Sequence, residues 1–190
     1  EAKSVKKLLK KYQINLNILK NKKTIRQNIQ SQARSIRYNL LTIFCKKKGI
    51  KTILTAHNLE DQVETFFIRL SRGSGLQGLS SMRQINKINT NISLVRPLLD
   101  FKKIQLIKIS KVIFGKYYED PTNQDTKYLR TRIRNLKGSL EDSGINYDQI
   151  IKSIKNLASS RDTLNLYFNR IYKEIVNKKN SKLLINFNKF

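Results

Sequence analysis

The 190-residue sequence is poor in several residue types, and each scarcity removes a class of protein. There is one cysteine, Cys45, so an internal disulfide framework and a cysteine-rich zinc site are both excluded. In its amphipathic surroundings Cys45 reads as a buried structural thiol rather than a nucleophile. There is one histidine, His57, and there is no tryptophan. No apolar run approaches the length needed to span a membrane. The first residues, Glu1-Ala2-Lys3, lack the charged and then apolar pattern of a signal peptide, so the expected compartment is the cytoplasm. Acids are scarce as well: 13 Asp and Glu against 39 Lys and Arg, a formal net charge of +26. That imbalance points to a polyanionic partner. With 39% apolar residues the chain can still build a core, so it is not a basic disordered tail.

The charge has two components. Lysines account for 27 of the 39 basic residues and are spread throughout, as compositional bias alone would spread them. The 12 arginines are more informative, because a planar guanidinium matches phosphate and carboxylate. Nine of them fall between Arg34 and Arg134.

Hydrophobic periodicity predicts a helix over 3–12, a strand over 13–19 and a helix over 29–48 closed by Gly49. Residues 52–56 read as a strand buried on both faces. Asn58 is expected to cap the next helix, with Asp61 three residues on and a core stripe of Val63, Phe66, Phe67 and Leu70. A glycine-rich loop carries Gly73, Gly75 and Gly78. A strand is expected at 92–95, and a helix capped by Asp100 from about Lys102 to Phe114. Residues 117–123 should be extended, with Pro121 excluding a helix. From Lys127 the pattern is helical, broken at Gly138 to Asn146, with one long helix over 147–178 and a short strand at 183–185. Alternation through the first 115 residues gives an α/β class with a parallel sheet. The expected division is a domain over 1–137 and a helical region over 138–190.

Three groups carry candidate chemistry. The densest runs from Thr55 to Thr65, at the carboxyl end of a strand, where open α/β sheets bind ligands. It holds Ala56, His57, Glu60, Asp61 and Glu64. Asp61 and Glu64, three apart, project from one helix face. Such acids suit Mg²⁺ or a substrate ammonium, and equally a helix N-terminus. A second acidic group is Glu119, Asp120 and Asp125. The second feature is the loop from Arg69 to Gly78 with Arg72, whose glycines permit close approach to phosphate or simply make a turn. The third is a set of arginines: Arg34 and Arg37 on one helix, and Arg130, Arg132 and Arg134 on another. These could clamp phosphates or lie solvated.

In combination and in this order, six segments resemble the tRNA(Ile)-lysidine synthases of the PP-loop ATP-dependent family. They are Ala33–Tyr38, Thr55–Thr65, Arg69–Met82, Arg96-Pro97-Leu98-Leu99-Asp100, Glu119-Asp120-Pro121-Thr122-Asn123 and Arg130–Arg134. The resemblance runs from about Val5 to Asp162. It implies an incomplete parallel sheet of the PP-loop type with a C-terminal helical region. It further implies ATP and Mg²⁺ as cofactors, and an isoleucine tRNA and free lysine as partners. The implied reaction joins lysine to the wobble cytidine through an adenylated intermediate. His57, Asp61, Glu64 and Arg34 would be catalytic, and Asp61 and Glu64 would be the magnesium ligands. Ala56 and His57 would lie at the nucleotide. Arg37, Arg72, Arg130, Arg132 and Arg134 would meet RNA or nucleotide phosphate.

Two departures from the family are visible. Its phosphate loop, Ser-Gly-Gly-x-Asp-Ser, occurs nowhere in the 190 residues, and Thr131 stands where the family has Asn. The first departure leads to the expectation of a fragment, a mis-started reading frame or half of a split enzyme, with a homodimer or a missing N-terminal segment as a further partner. The alternative reading is a non-catalytic basic RNA-binding module on the same scaffold.

Overall fold

The structure, a computed structural model, describes residues 2–21, 29–119, 125–179 and 182–186. It divides into two compact units, Glu1–Asp61 with Arg83–Asp125 and Gln62–Met82 with Thr126–Phe190.

The first unit opens with helix α1 (Ala2–Lys10) and helix α2 (Ile29–Lys48). Gly49 follows α2 at φ +67°, a left-handed conformation that costs glycine little. Strand β1 (Thr52–Leu54) comes next, then β2 (Ile85–Lys87) and β3 (Ser93–Val95). β3 is central: it pairs parallel with β1, Ile53 opposite Leu94, and antiparallel with β2, Asn86 opposite Leu94. The core is Cys45, Ile53, Ile92 and Leu94, with Tyr38, Leu41 and Ile88 packed against it. Cys45 is therefore the buried thiol its surroundings predict.

Three expectations for this unit are corrected. Residues 13–19 form no strand: residue 13 closes a turn, and no strand lies alongside 14–19 among the described residues. A ladder needs a partner, and periodicity cannot supply one. β1 is not buried on both faces: Ile53 is buried, while Leu54 is 66% exposed. Asp100 does not cap helix α5 (Lys103–Phe114). That N-terminus is satisfied by the Gln105 side chain, which accepts from the Lys102 N–H at 2.9 Å. The Glu60 carboxylate accepts from the Lys103 N–H at 2.8 Å.

β2 gives no sequence signal, since all three of its residues are exposed. It is held through buried Arg96, whose Nη1 donates to the Arg83 carbonyl at 2.7 Å and to Asn86 Oδ1 at 3.2 Å. Residues 120–124, which include Asp120-Pro121-Thr122-Asn123 of the second acidic stretch, lie outside the described residues.

Helix α3 (Leu59–Leu70) starts in the first unit and continues in the second. Val63 is fully buried on it, whereas Leu70 is exposed and does not join the core stripe. The second unit continues with α4 (Leu76–Leu79), α6 (Leu129–Asn135), α7 (Lys137–Asp142) and α8 (Tyr147–Ile175). Asn146 caps α8 by accepting from the Gln149 N–H at 2.9 Å. Tyr147, Ile150, Ile154 and Ile175 form the buried side of α8. Ser80 on the α4 side donates to the Leu157 carbonyl at 3.3 Å. α8 stops at Ile175 rather than 178, because Val176–Lys179 forms strand β4, antiparallel to β5 (Lys182–Ile185). No helix of the described residues is long and apolar enough to cross a membrane.

Candidate functional site

In the first unit the chain leaves β1 at its carboxyl end and reaches His57 within three residues. Ala56 is exposed there and His57 is half-buried. His57 Nδ1 is hydrogen-bonded to Thr55 Oγ1 at 2.9 Å, which fixes the ring against the strand end. Asn58 and Asp61 form a reciprocal cap at the start of α3. The Asp61 N–H donates to Asn58 Oδ1 at 3.1 Å, and the Asn58 N–H donates to Asp61 Oδ2 at 3.0 Å. The expected cap is therefore present, and it engages the Asp61 carboxylate. Glu60, in the same turn, points to the N-terminus of α5 instead.

Arg34 is exposed and lies over the Tyr38 ring, 5.1 Å from its centroid, a cation–π contact. Arg37 is exposed one turn on and lines an open, largely apolar cavity of about 380 Å³ with Asn17, Leu19, Ile36 and Leu40.

In the second unit Glu64 is 1% exposed. A buried carboxylate needs a charged or hydrogen-bonding partner, and α6 supplies two. Arg134 Nε donates to Glu64 Oε1 at 2.7 Å, and Arg130 Nε lies 3.3 Å from Oε2. The two arginines are four residues apart, so both face the same carboxylate. Arg130 Nη2 also donates to Thr65 Oγ1 at 3.4 Å. Both arginine side chains remain about a third exposed. Thr131 and Ile133, which flank the two arginines on α6, are buried. Arg132 is exposed, and so is Arg72.

The glycine loop is a braced turn. Arg69 Nη1 donates to the Gly78 carbonyl at 2.7 Å and to the Ser81 carbonyl at 3.0 Å. A Cβ on Gly78 would come within 2.5 Å of Ser74 Cβ, so the close approach requires glycine. Gln62 holds the far end of the loop: its Nε2 donates to the Met82 carbonyl at 3.0 Å, and its Oε1 accepts from the Met82 N–H at 2.8 Å. Neither Gln62 nor Thr65 stands out in the sequence, because their partners, the Met82 main chain and Arg130, lie 20 and 65 residues away.

The three acids of α3 thus serve three different partners. Glu60 caps α5, Asp61 caps α3, and Glu64 meets two arginines. Among the described residues no group of three or more His, Cys, Asp or Glu could hold a metal ion.

The class to which this fold belongs is the PP-loop domain. The family model of that description matches residues 1–137, and the chain belongs to that family. Among the similar curated proteins are tRNA(Ile)-lysidine synthases. The chain is 44% identical over 129 residues to that of Wolbachia pipientis wMel, covering 68% of this chain and 30% of the relative. It is 46% identical over 118 residues to that of Orientia tsutsugamushi (strain Boryong), covering 62% and 26%. It is 43% identical over 116 residues to that of Bradyrhizobium diazoefficiens, covering 61% and 32%. The aligned part is thus about a third or less of each of these relatives. Among solved structures, the U34-tRNA thiolase NcsA from Methanococcus maripaludis matches with a TM-score of 0.64 at 16% identity. It covers 83% of this chain and 55% of that one, a likeness of fold alone.

Proposed function

We propose that this chain carries the catalytic-domain portion of a tRNA(Ile)-lysidine synthase, a cytoplasmic, ATP-dependent carbon–nitrogen ligase. The observation that supports this most is 40–46% identity to proteins of that name over 60–68% of the chain. In the proposed reaction the C2 oxygen of the wobble cytidine of an isoleucine tRNA attacks the α-phosphorus of ATP and pyrophosphate leaves. The free lysine amine then attacks C2. The C2–O bond breaks, AMP departs with the oxygen, and the amine loses a proton.

The residues have distinct parts in this reading. Asp61, oriented by the Asn58 N–H, would hold the lysine ammonium or take its proton. His57, fixed by Thr55, and exposed Ala56 would lie along the nucleotide. Glu64 would orient Arg130 and Arg134, whose half-exposed guanidinium groups suit a phosphate gaining charge. Arg34, Arg37, Arg72 and Arg132 are exposed and would meet RNA phosphates, Arg34 with a part in the reaction.

Magnesium does not fit the residues first named for it. Glu64 already faces two guanidinium groups, and Asp61 anchors a helix start.

One observation favours a second reading, a non-catalytic RNA-binding module: every acid at the start of α3 has an intramolecular partner. ATP-dependent incorporation of labelled lysine into an isoleucine tRNA transcript separates the two. Incorporation that needs a wobble cytidine supports the ligase. Salt-sensitive tRNA binding with no incorporation gives the module. If 6–10 phosphates are neutralised, affinity should fall about 10³–10⁵-fold between 50 and 200 mM salt.

A further inference from the structure

The proposed reaction gives no part to Glu60 or to the segment Arg96-Pro97-Leu98-Leu99-Asp100, and the two regions meet at the start of α3. The Phe101 N–H donates to the Leu98 carbonyl at 3.0 Å and closes a turn in which Leu99 is buried. Two bonds tie this turn and the start of α5 to α3. The Leu59 N–H donates to the Phe101 carbonyl at 3.0 Å, and the Lys103 N–H donates to Glu60 Oε2 at 2.8 Å. Leu59 and Glu60 are the two residues between Asn58 and Asp61, so both sit inside the loop that the reciprocal cap closes.

The first turn of a helix lacks intrahelical partners for its N–H groups and opens readily. A carboxylate that handles substrate from such a turn needs its backbone held to about half an ångström. The Asn58–Asp61 cap spans three residues and opens whenever the turn does. The bond from Glu60 holds that turn from another element, 43 positions along the chain. α5 has a cap of its own, because Gln105 already accepts from the Lys102 N–H at 2.9 Å. The Glu60 carboxylate also lies where the α5 dipole favours an anion, which strengthens the tie.

We propose that Glu60 is a positioning residue. Through the Lys103 N–H it pins the first turn of α3 to α5 and so sets where the Asp61 carboxylate stands, without itself touching substrate. Its effect on the reaction rests on the reading of Asp61 as the group that meets the lysine amine.

Amide hydrogen exchange and lysine kinetics, both on the full chain, test it together. Glu60→Ala should speed exchange at the Asn58 and Asp61 amides about tenfold and lower kcat/KM for lysine by about the same factor, with tRNA affinity unchanged. Glu60→Gln, which keeps an acceptor oxygen, should return both to near the parent values. Gln105→Ala, which removes the acceptor that α5 supplies for itself, should loosen α5 alone. Unchanged exchange at Asn58 and Asp61 in Glu60→Ala overturns the pin. So does equal loosening of those amides by Gln105→Ala, which would reduce Glu60 to a cap of α5. Faster exchange with kcat/KM for lysine unaltered overturns the positioning of Asp61 for the reaction. A parent chain that incorporates no lysine removes the ligase reading, and amide exchange then decides the pin by itself.

Discussion

Asp61 and Glu64 are three residues apart on one helix, yet their surroundings differ in kind. Asp61 is half-buried in the first turn, where its partner is a backbone N–H. Glu64, one turn deeper, is buried and faces two guanidinium groups. The first carboxylate completes a local turn, and the second joins two elements that are far apart in sequence. Two acids on one face suggest a shared ligand only when both point to it, and here the helix carries each to a different partner. The lesson extends to Glu60, which leaves its own helix to cap α5.

Substitutions sharpen that contrast, beginning with the largest expected effect. Glu64→Ala leaves two half-exposed cations facing a buried void, and should cost roughly 3 kcal/mol in a denaturant titration. A loss no greater than that of Asp61→Ala would erase the distinction between the two acids. Gly78→Ala sets a methyl group against Ser74 and should cost about 1–3 kcal/mol, with a lowered thermal midpoint. Asp61→Ala removes one cap and should cost only about 1 kcal/mol. This variant stays folded, so a loss of lysine incorporation with tRNA affinity retained would report chemistry rather than stability. Arg132→Ala removes an exposed side chain and should leave stability within about 0.5 kcal/mol. Its effect should show in RNA binding, as a salt dependence shallower by about one phosphate contact.

What the sequence makes legible follows the range of the interaction. The limits of α2, the Gly49 turn and the Asn58–Asp61 cap are all settled within a few residues, and they can be read directly. The family is legible too, because the order of short motifs is itself sequence information. Residues 13–19 show the opposite case: alternation is local, but a strand exists only with a neighbour. β2 escapes notice because an exposed edge strand needs no apolar pattern, and Arg96 fixes it from ten residues away. The partners of Glu64 lie 66 and 70 positions along the chain, so spacing alone offers a metal site and an ion pair equally.

The Glu64–Arg134 double-mutant cycle tests the central distinction most directly. Stability is measured for the parent chain, Glu64→Ala, Arg134→Ala and the double variant. The buried ion pair predicts a coupling of roughly 2 kcal/mol, with the double variant more stable than the sum of the single losses. A coupling near zero would mean that Glu64 and Arg134 do not act on each other, and would return Glu64 to the pool of acids available for a ligand.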